Sequence, residues 1–213
     1  MNKPVNKIEK LIAELCPEGV EVKELGKIGR RNHGTNITAA KMKDIHELNG
    51  PVRIFAGGRT IVDVPFDALP EKDIITDESI VVKSRGYIGF EFYDKPFSHK
   101  NELWSYTIKN KGVVQKFVYY YLITLTDKLQ KRARANSVKI PQLSVADTDN
   151  LKIPIPPLAI QQEIVKILDT FTTLEAELEA ELEAELEARK KQYEYYRDKL
   201  LTFKPLEAEY AKQ

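Results

Sequence analysis

In the first part of the chain, the spacing of hydrophobic residues changes every few residues between patterns typical of helices and of strands. Ile8, Leu11, Ile12 and Leu15 form one apolar face, which predicts a helix over residues 4–16 that ends at a Pro-Glu-Gly tract. Runs rich in β-branched and aromatic residues then predict strands at 52–55, 60–64, 79–83, 87–93 and 103–108. Helical spacing returns between residues 114 and 129. The pattern predicts an α+β fold, in which residues 1–152 form a mixed α/β domain with short twisted strands.

A long helical pattern follows a proline-rich boundary at residues 153–157. Consecutive prolines favour an extended chain, and proline is tolerated where a helix begins. Beyond this boundary, apolar residues recur mostly at spacings of three and four, and Pro205 ends the pattern. The apolar row includes Ile160, Ile164, Ile167, Phe171, Leu174, Leu178, Leu182, Leu186, Tyr193, Tyr196, Leu200 and Phe203. We therefore expect one long coiled-coil helix within residues 153–205, followed by a tail at 206–213.

The middle of this helix contains a tandem repeat. The unit Leu-Glu-Ala-Glu occurs three times in succession from Leu174, and a fourth copy ends in Arg189. The repeat stacks glutamates at i and i+4, and each such pair costs about 0.2–0.5 kcal/mol in an isolated helix. Because the Leu row must be covered, we expect a partner helix. A second copy running antiparallel would place Leu against Leu around Leu182 and bring Arg189 close to Glu175 of the other chain. A single solvated helix is the alternative.

Composition and charge distinguish the two parts of the chain. The protein has 213 residues, of which 42% are hydrophobic, and its ten Tyr, eight Phe and one Trp argue against a disordered chain. The net charge is +1, but positive and negative charges are unevenly distributed along the chain. Residues 1–150 hold 24 Lys and Arg against 19 Asp and Glu, whereas the remaining residues are acidic. The first part is therefore the one suited to a polyanionic partner, although its excess of positive charge is modest.

The single cysteine and the N-terminus indicate the compartment. Cys16 stands alone, so neither an intrachain disulfide nor a thiolate metal cluster can form. The first ten residues lack the apolar run of a signal peptide. No stretch approaches the roughly 18 consecutive apolar residues of a membrane span. We therefore expect a cytoplasmic protein with no membrane association.

Motifs for catalysis and for cofactor binding are missing from the sequence. There is no P-loop, no Asn-Pro-Pro-Tyr/Phe tract and no glycine-rich adenosylmethionine loop after a strand. His33, His46 and His99 lie far apart and lack the spacing of metal ligands. The tract Gly86-Tyr87-Ile88-Gly89 most simply turns a hairpin. We expect no catalytic residue, no metal and no cofactor.

Several tracts resemble the specificity (S) subunits of Type I restriction–modification systems. The most specific is IPIPPLAIQQEIVKILDTFTTLEAELEAELEAELEARKKQYEYYRDKLLTF at 153–203, which is similar to the repeat-region helix of that family. The tracts KLIAELCPEGVEVKELGKI and SVKIPQLSVADTDNLKIPIPP resemble segments that flank its target-recognition domains, and VKSRGYIGF resembles a strand–turn–strand motif within them. The resemblance covers most of the chain and identifies residues 1–152 as the expected target-recognition domain.

The resemblance implies a non-catalytic reader of double-stranded DNA. Subunits of this family carry two recognition domains joined by two antiparallel helices. They hold two DNA methyltransferase (M) subunits, and a motor-nuclease restriction (R) subunit can join them. This chain departs from that pattern, because it has one such domain and one long helix. Two copies can rebuild the full arrangement as an antiparallel homodimer. A truncated gene or an excised half is also consistent with the sequence.

The candidate DNA contacts are cationic and polar residues near predicted turns and helix ends. Arg and Lys suit phosphates, while Arg, Asn and Ser also address base edges. The candidates are Arg30, Arg31, His33, Arg59, Lys83, Ser84, Arg85, Tyr87, Lys131, Arg132, Arg134, Asn136, Ser137 and Lys139. For residues 131–139 the alternative is a solvated helix end, where cations complement the helix dipole. We expect Gln161 to organise the start of the long helix instead of contacting DNA.

These observations give one leading hypothesis and one rival. The leading hypothesis is a half-length specificity subunit whose α+β domain reads one short half-site. Its helix pairs with a second copy and holds two such domains at a fixed separation. The rival is a coiled-coil scaffold that does not bind DNA, and a salt-dependent binding assay would separate the two. Pairing with a different half-subunit is an alternative to the homodimer.

Overall fold

The computed structural model describes residues 4–135 and 139–203, with side chains described from Lys7 onward. The chain divides into two units, Met1–Lys166 and Ile167–Gln213. The helices are α1 (Pro4–Leu15), α2 (Leu25–Ile28), α3 (Ala39–Asp44), α4 (Gln115–Thr124), α5 (Thr126–Ala135), α6 (Val145–Asp149) and α7 (Leu158–Leu201). The strands are β1 (Glu21–Glu24), β2 (Gly29–Asn32), β3 (Val52–Phe55), β4 (Ile61–Val64), β5 (Ser79–Lys83), β6 (Gly89–Tyr93), β7 (Phe97–His99), β8 (Trp104–Ile108) and β9 (Lys152–Ile155). The predicted α+β class with one long C-terminal helix is confirmed.

The strands form three small sheets in the first unit. The largest has the order β2-β8-β5-β6 and is antiparallel throughout. A second sheet has the order β4-β3-β7, in which β3 and β7 run parallel. A third joins β1 to β9, with Glu21 opposite Ile155, so residues from both ends of the unit meet in one ribbon.

Strand β5 is buried on both faces, which explains its uninterrupted apolar run. Ile80 and Val82 point into the main core, where Phe117 and Leu122 of α4 pack over them. Val81 points the other way and packs with aromatic residues of the second sheet. Since successive side chains of a strand alternate between faces, a strand covered on both sides must be apolar at successive positions. The core of the first unit is thus built around β5.

Two local predictions were inaccurate. The helical pattern at 114–129 forms two helices, α4 and α5, which meet at Leu125. At this break the Thr124 hydroxyl donates a hydrogen bond of 2.7 Å to the Tyr121 carbonyl. Strand β6 begins at Gly89 instead of residue 87, because Gly86 adopts a positive φ of 78° and the turn extends past it.

Strands β1, β2, β7 and β9 were not predicted. Asn32 of β2 is buried, and its side-chain amide donates hydrogen bonds to the hydroxyls of Thr107 (2.8 Å) and Ser105 (3.1 Å). This strand is held by cross-strand polar contacts and has little β propensity of its own. The proline tract was expected to be extended, and β9 within it pairs with β1.

Helix α7 begins inside the first unit. Its first turns carry the fully buried Ile160 and Gln161. The Gln161 carboxamide accepts a hydrogen bond from the Val114 N–H (2.8 Å) and donates to the carbonyls of Gly112 (3.0 Å) and Pro156 (2.7 Å). The expectation that Gln161 organises the helix start is confirmed. From residue 170 to 203, every described residue is exposed.

Candidate nucleic-acid interface

The loop after β3 and the turn after β5 bring two predicted contact residues together. Gly58 and Gly86 adopt positive φ angles of 69° and 78°, a conformation that glycine accepts without strain. The Arg59 guanidinium consequently lies 5.5 Å from the centre of the Tyr87 ring. The ring is about half exposed, and both side chains line a cleft of about 670 Å³. An exposed cation on an exposed aromatic face is suited to the phosphates and bases of a nucleic acid.

Lys83 and Ser84 do not lie on the surface of this turn. Lys83 is 7% exposed, and its ammonium contacts Glu91 at 3.0 Å and lies 4.5 Å from the centre of the Phe55 ring. The Ser84 hydroxyl donates to the Glu102 carbonyl at 2.5 Å. Both residues are largely buried, because they belong to β5 and its immediate extension, and Lys83 lines the cleft that contains Arg59 and Tyr87. They support the turn from beneath.

Arg85 lies on a second cleft beside the same glycine loop. This cleft has a volume of about 550 Å³, is lined largely by apolar groups such as Met42 and Ile140, and carries Lys43 and Lys100 with Arg85. The Arg85 backbone is held by an isolated β-bridge to Gln142, and the neighbouring Gly86 N–H donates to the Pro141 carbonyl at 2.8 Å. Lys43 and Lys100 were not predicted, because no local pattern marks residues that long-range pairing brings together.

Helix α5 is fixed against the turn by a polar contact. Gln130 accepts a hydrogen bond from the Ile88 N–H at 2.9 Å, while Leu129 and Ala133 are buried. Helical spacing places Asp127, Lys131 and Arg134 on one face, and Asp127 lines the cleft that contains Arg59 and Tyr87. Lys131 and Arg134 are exposed.

The remaining candidates near this helix differ in their surroundings. Arg132 forms an ion pair with Asp147 at 2.9 Å, which connects α5 to α6. Lys139 is exposed. Asn136 and Ser137 lie outside the described residues. Of the candidates at 131–139 that the structure describes, Arg132 is thus the one with a visible structural partner.

Arg30, Arg31 and His33 line a different cleft, of about 500 Å³, which shares no residue with the clefts around the glycine loop. Arg30 contacts Asp77 at 3.3 Å and Arg31 contacts Asp149 at 3.2 Å. The predicted contact residues therefore fall into two groups. One surrounds the turn after β5, and the other lies at β2, which forms one edge of the main sheet.

His99 is buried in the first unit. Burial lowers the pKa of His99 to about 4. Its ring nitrogens lie 3.3 Å from the Ser105 hydroxyl and 3.3 Å from the Lys100 carbonyl. The neutral ring therefore belongs to the polar interior around Asn32. Across residues 4–135 and 139–203, no group of three or more His, Cys, Asp or Glu side chains has the geometry to hold a metal ion. No helix in the same ranges is long and apolar enough to cross a membrane.

The apolar row of α7 is uncovered along the repeat. The exposed fractions of Leu174, Leu178, Leu182 and Leu186 lie between 53% and 57%. Ile164 differs, because it packs against the core of the first unit. Within the helix, Arg189 pairs with Glu185 at 3.3 Å and Lys191 with Glu187 at 2.7 Å, and both pairs are exposed.

Comparison with known proteins places this architecture in a family. A family model described as the Type I restriction modification DNA specificity domain matches residues 17–188. This range includes most of the first unit and nearly all of the repeat. The chain belongs to this Type I specificity family. Both the mixed α/β unit and the long helix are thus family features, and the resemblance noted in the sequence is confirmed.

Individual relatives agree with this assignment. The chain is 34% identical over 216 residues to the EcoR124I/EcoR124II specificity subunit of Escherichia coli, covering 95% of this chain and 49% of that protein. It is 55% identical over 127 residues to the MpnII specificity subunit of Mycoplasma pneumoniae, covering 59% and 37% of the two chains. The crystal structure of a Type I restriction–modification S subunit from M. genitalium has the same fold, with a TM-score of 0.66 and 18% identity over 89% of this chain and 48% of that one. The chain thus spans about half the length of these specificity subunits.

Proposed function

We propose that this chain is a half-length specificity subunit that reads one half-site of a bipartite double-stranded DNA target. The observation that carries the proposal is a single family-type α/β unit joined to one helix whose Leu row is uncovered. Two copies supply two recognition domains and two long helices, the same number that a full-length subunit of this family contains. The readers direct DNA methyltransferase subunits, and a restriction subunit where one is present, to the target. The protein itself contributes no catalytic group and needs no cofactor.

The contact surface that we propose is centred on the turn after β5. Arg59, Tyr87 and Arg85 form its middle, and the exposed Lys131 and Arg134 of α5 extend it. Arg59 and Arg85 are suited to base edges, because a guanidinium can donate two parallel hydrogen bonds to guanine. The lysines are suited to phosphates. Lys139, Asn136 and Ser137 remain part of the proposed surface. Lys83 and Ser84 stay predicted contacts on the inner side of the turn, and Lys83 lines the same cleft as Arg59 and Tyr87.

A second group of contacts is proposed at β2. Arg30, Arg31 and His33 are exposed at the edge of the main sheet. Arg30 and Arg31 have carboxylate partners, so their engagement with phosphate would require those ion pairs to open. Exposed ion pairs are worth about 0–1 kcal/mol, so this exchange is accessible. We expect these residues to contribute less to affinity than Arg59 and Arg134.

The dimer that we propose is antiparallel. Its seam contains Ile167, Phe171, Leu174, Leu178, Leu182, Leu186, Tyr193, Tyr196 and Leu200. Antiparallel pairing around Leu182 brings the basic residues at 189–191 of one chain near Glu175 and Glu177 of the other. Parallel pairing would instead align glutamates with glutamates, which is unfavourable. Ile164 was predicted to belong to this seam, and its packing within the first unit limits that role.

The test is the methylation pattern in cells that contain this chain together with a methyltransferase subunit. Two identical readers related by a twofold axis must see identical half-sites in inverted orientation. The expected target is therefore an interrupted palindrome. Methylation of an asymmetric site would contradict the homodimer and indicate pairing with a different half-subunit. If purified complexes showed no salt-dependent binding to DNA, the scaffold alternative would replace the proposal.

A further inference from the structure

The cleft of about 670 Å³ beside the turn after β5 carries balanced charge. Among its described lining residues, Arg59 and Lys83 are the cations, and Glu91 and Asp127 are the carboxylates. A surface that binds only phosphate gains from uncompensated positive charge, and a carboxylate there repels the phosphates. A base edge is different, because it is neutral and presents both donors and acceptors of hydrogen bonds. The composition of this cleft therefore favours contact with base edges over contact with the DNA backbone.

The two carboxylates of the cleft differ in their partners. Glu91 is paired with the ammonium of Lys83 at 3.0 Å. Asp127 is exposed, and across residues 4–135 and 139–203 its carboxylate forms no hydrogen bond or ion pair. Arg59 lines the same cleft, but its guanidinium lies over the Tyr87 ring at 5.5 Å from the ring centre. Asp127 is thus a hydrogen-bond acceptor that the fold leaves available inside the cleft.

Hydrogen bonds hold Asp127 and the Tyr87 ring at a defined spacing. Asp127 belongs to the first turn of α5. Three residues further along the same side of this helix, the Gln130 carboxamide accepts from the Ile88 N–H at 2.9 Å and donates to the Gly86 carbonyl at 3.4 Å. Gln130 therefore holds both neighbours of Tyr87. A contact that discriminates between bases needs such a fixed support.

Asp127 has a second role that is independent of DNA. An acidic residue in the first turn of a helix interacts favourably with the helix dipole. That role requires no cleft and gives no dependence on the base sequence. The face of α5 that begins with Asp127 continues through Lys131 and Arg134, which are proposed phosphate contacts. Asp127 is therefore placed where this face reaches the cleft, and the two roles differ in whether the bases matter.

The chemistry of a carboxylate selects its partner on DNA. An ionised carboxylate only accepts hydrogen bonds. In the major groove, the donors on base edges are the exocyclic amino groups, N4 of cytosine and N6 of adenine. Phosphates and the major-groove edge of guanine offer acceptors, which suit the guanidinium of Arg59 instead. An arginine and an unpaired aspartate in one cleft are together complementary to an acceptor and a donor on neighbouring base edges.

We propose that Asp127 is a specificity-determining residue, which accepts a hydrogen bond from the exocyclic amino group of a cytosine or an adenine in the half-site. The inference rests on the DNA-reading function proposed above and names one chemical group that this reading recognises. Arg59 supplies the donors of the same cleft, and the lysine and arginine further along α5 contact the backbone.

Binding measurements with the full chain and a methyltransferase subunit test this role, on duplexes that carry the target defined by the methylation pattern. Asp127→Ala should lower the preference for the native base about tenfold at one position of the half-site, since a good contact to a base edge is worth about that much in discrimination. The other positions should be unchanged. Asp67→Ala is the matched control, because Asp67 is also an exposed first-turn carboxylate and lies outside the three clefts described above. It should change the preference at no position.

Duplexes that lack single amino groups identify the source of the hydrogen bond. Each cytosine of the half-site is replaced in turn by a 2-pyrimidinone nucleoside, which lacks N4, and each adenine by a purine nucleoside, which lacks N6. At one position, loss of the amino group should weaken binding by the unmodified chain about tenfold more than binding by the Asp127→Ala variant. A cytosine at that position identifies N4 as the group, and an adenine identifies N6.

Three results would overturn the inference and leave the DNA-reading function intact. A gain in affinity that is equal for all sequences in Asp127→Ala would mean that the carboxylate only repels the DNA backbone. An equal loss for all sequences would mean that it only supports the start of α5. No change at any position would remove Asp127 from the contact surface. If the complex with the methyltransferase subunit showed no salt-dependent binding to DNA, the proposed function and this inference would both fail.

Discussion

The two units of this chain use the same residue types in opposite ways. In the first unit, Leu25 and Leu122 are completely buried, and β5 is covered on both faces. In the second unit, Leu178 and Leu182 are 57% exposed, and all described residues from 170 to 203 are exposed. The first unit therefore derives its stability from internal packing. The second contains a helix whose apolar row is uncovered among the residues that the structure describes.

This difference also explains why one unit is repetitive and the other is not. Each position in the first unit has a particular environment, such as the hydroxyls around Asn32 or the carbonyls around Gln161. Successive Leu-Glu-Ala-Glu units in the helix have nearly equivalent environments. A unit can therefore be added or removed there at small cost, whereas an insertion into β5 would shift its side chains to the opposite face.

The largest expected effect is the loss of self-association when the Leu row is made polar. Replacing Leu178, Leu182 and Leu186 together by Lys should convert the proposed dimer into a monomer in sedimentation experiments. Three charged side chains would have to be buried in the middle of the seam, which is strongly unfavourable. The first unit should keep its unfolding free energy, because these residues lie outside its core.

The matched control carries the same charge on the same helix. Ala176, Ala180 and Ala184 each follow a Leu by two residues and lie about 200° further round the helix. Their replacement by Lys should leave the dimer intact. A protein that is already monomeric at tens of micromolar, or a dimer lost equally in both triple variants, would contradict an interface along the Leu row.

The next effect concerns the first unit, where a single buried residue should matter. Ile80→Ala in β5 should lower the free energy of unfolding by about 2–5 kcal/mol, because it leaves a cavity in a packed core. The loss should not depend on protein concentration. The measurement is urea denaturation at several concentrations.

Ile61 in edge strand β4 provides the control for this prediction, because it is 45% exposed. Ile61→Ala should cost clearly less than Ile80→Ala. If the two substitutions had equal effects, or if the cost of Ile80→Ala changed with concentration, stability would not be internal to the first unit and the contrast between the units would fail.

Sequence patterns predicted the elements whose formation is decided locally. Strands β3 and β5 form at the predicted residues because their runs are apolar and β-branched, and α7 forms because its spacing is regular. Strand β2 was missed, since Gly-Arg-Arg-Asn carries no strand pattern and depends on contacts with distant Ser105 and Thr107. The end of α4 was missed for a similar reason, because helical periodicity continues across Leu125.

The sequence indicated which residues belong to the candidate site, but it did not predict how the fold arranges them. Arg59 and Tyr87 were identified separately, and only the fold shows that they stack. Lys83 was predicted as a contact because it flanks the turn, and the fold shows it largely buried, where Glu91 and the ring of Phe55 compensate its charge. Gln130 carried no signal in the sequence. Long-range pairing decided each of these outcomes.

A smaller effect should distinguish two neighbouring arginines of α5. Arg134→Ala should weaken DNA binding and lower the salt slope by about 0.9, the value for one lost phosphate contact. It should leave the unfolding free energy unchanged. Arg132→Ala should in addition lower stability by up to about 1 kcal/mol, because it removes the ion pair with Asp147. The assay measures binding at several salt concentrations with the methyltransferase subunit present.

Lys95→Ala serves as the control, since Lys95 is an exposed cation outside both proposed contact groups. Lys95→Ala should change neither the salt slope of DNA binding nor the unfolding free energy. An unchanged salt slope for Arg134→Ala would remove α5 from the contact surface. A loss of affinity confined to one base position would mean that Arg134 reads a base instead of a phosphate.

The smallest energetic effect should come from changing the number of repeats, because the added residues alter spacing and leave every other contact in place. One Leu-Glu-Ala-Glu unit lengthens a helix by about 6 Å and turns it by about 400°, so the apolar row returns to within about 40° of its phase. A stutter of four residues absorbs that difference by local unwinding. Added to both antiparallel helices, the unit should increase the unread spacer by about two base pairs, since B-DNA rises about 3.4 Å per pair. The DNA turns by about 70° over that distance. The connections between the helices and the readers must accommodate the difference between this rotation and that of the helix. Methylation patterns of strains with two, three and four intact units provide the measurement. We expect the spacer to change with the repeat number while the half-site bases stay the same, because the bases are read by the first unit. A constant spacer, or half-site bases that change with it, would show that the helix does not set the distance between the two readers.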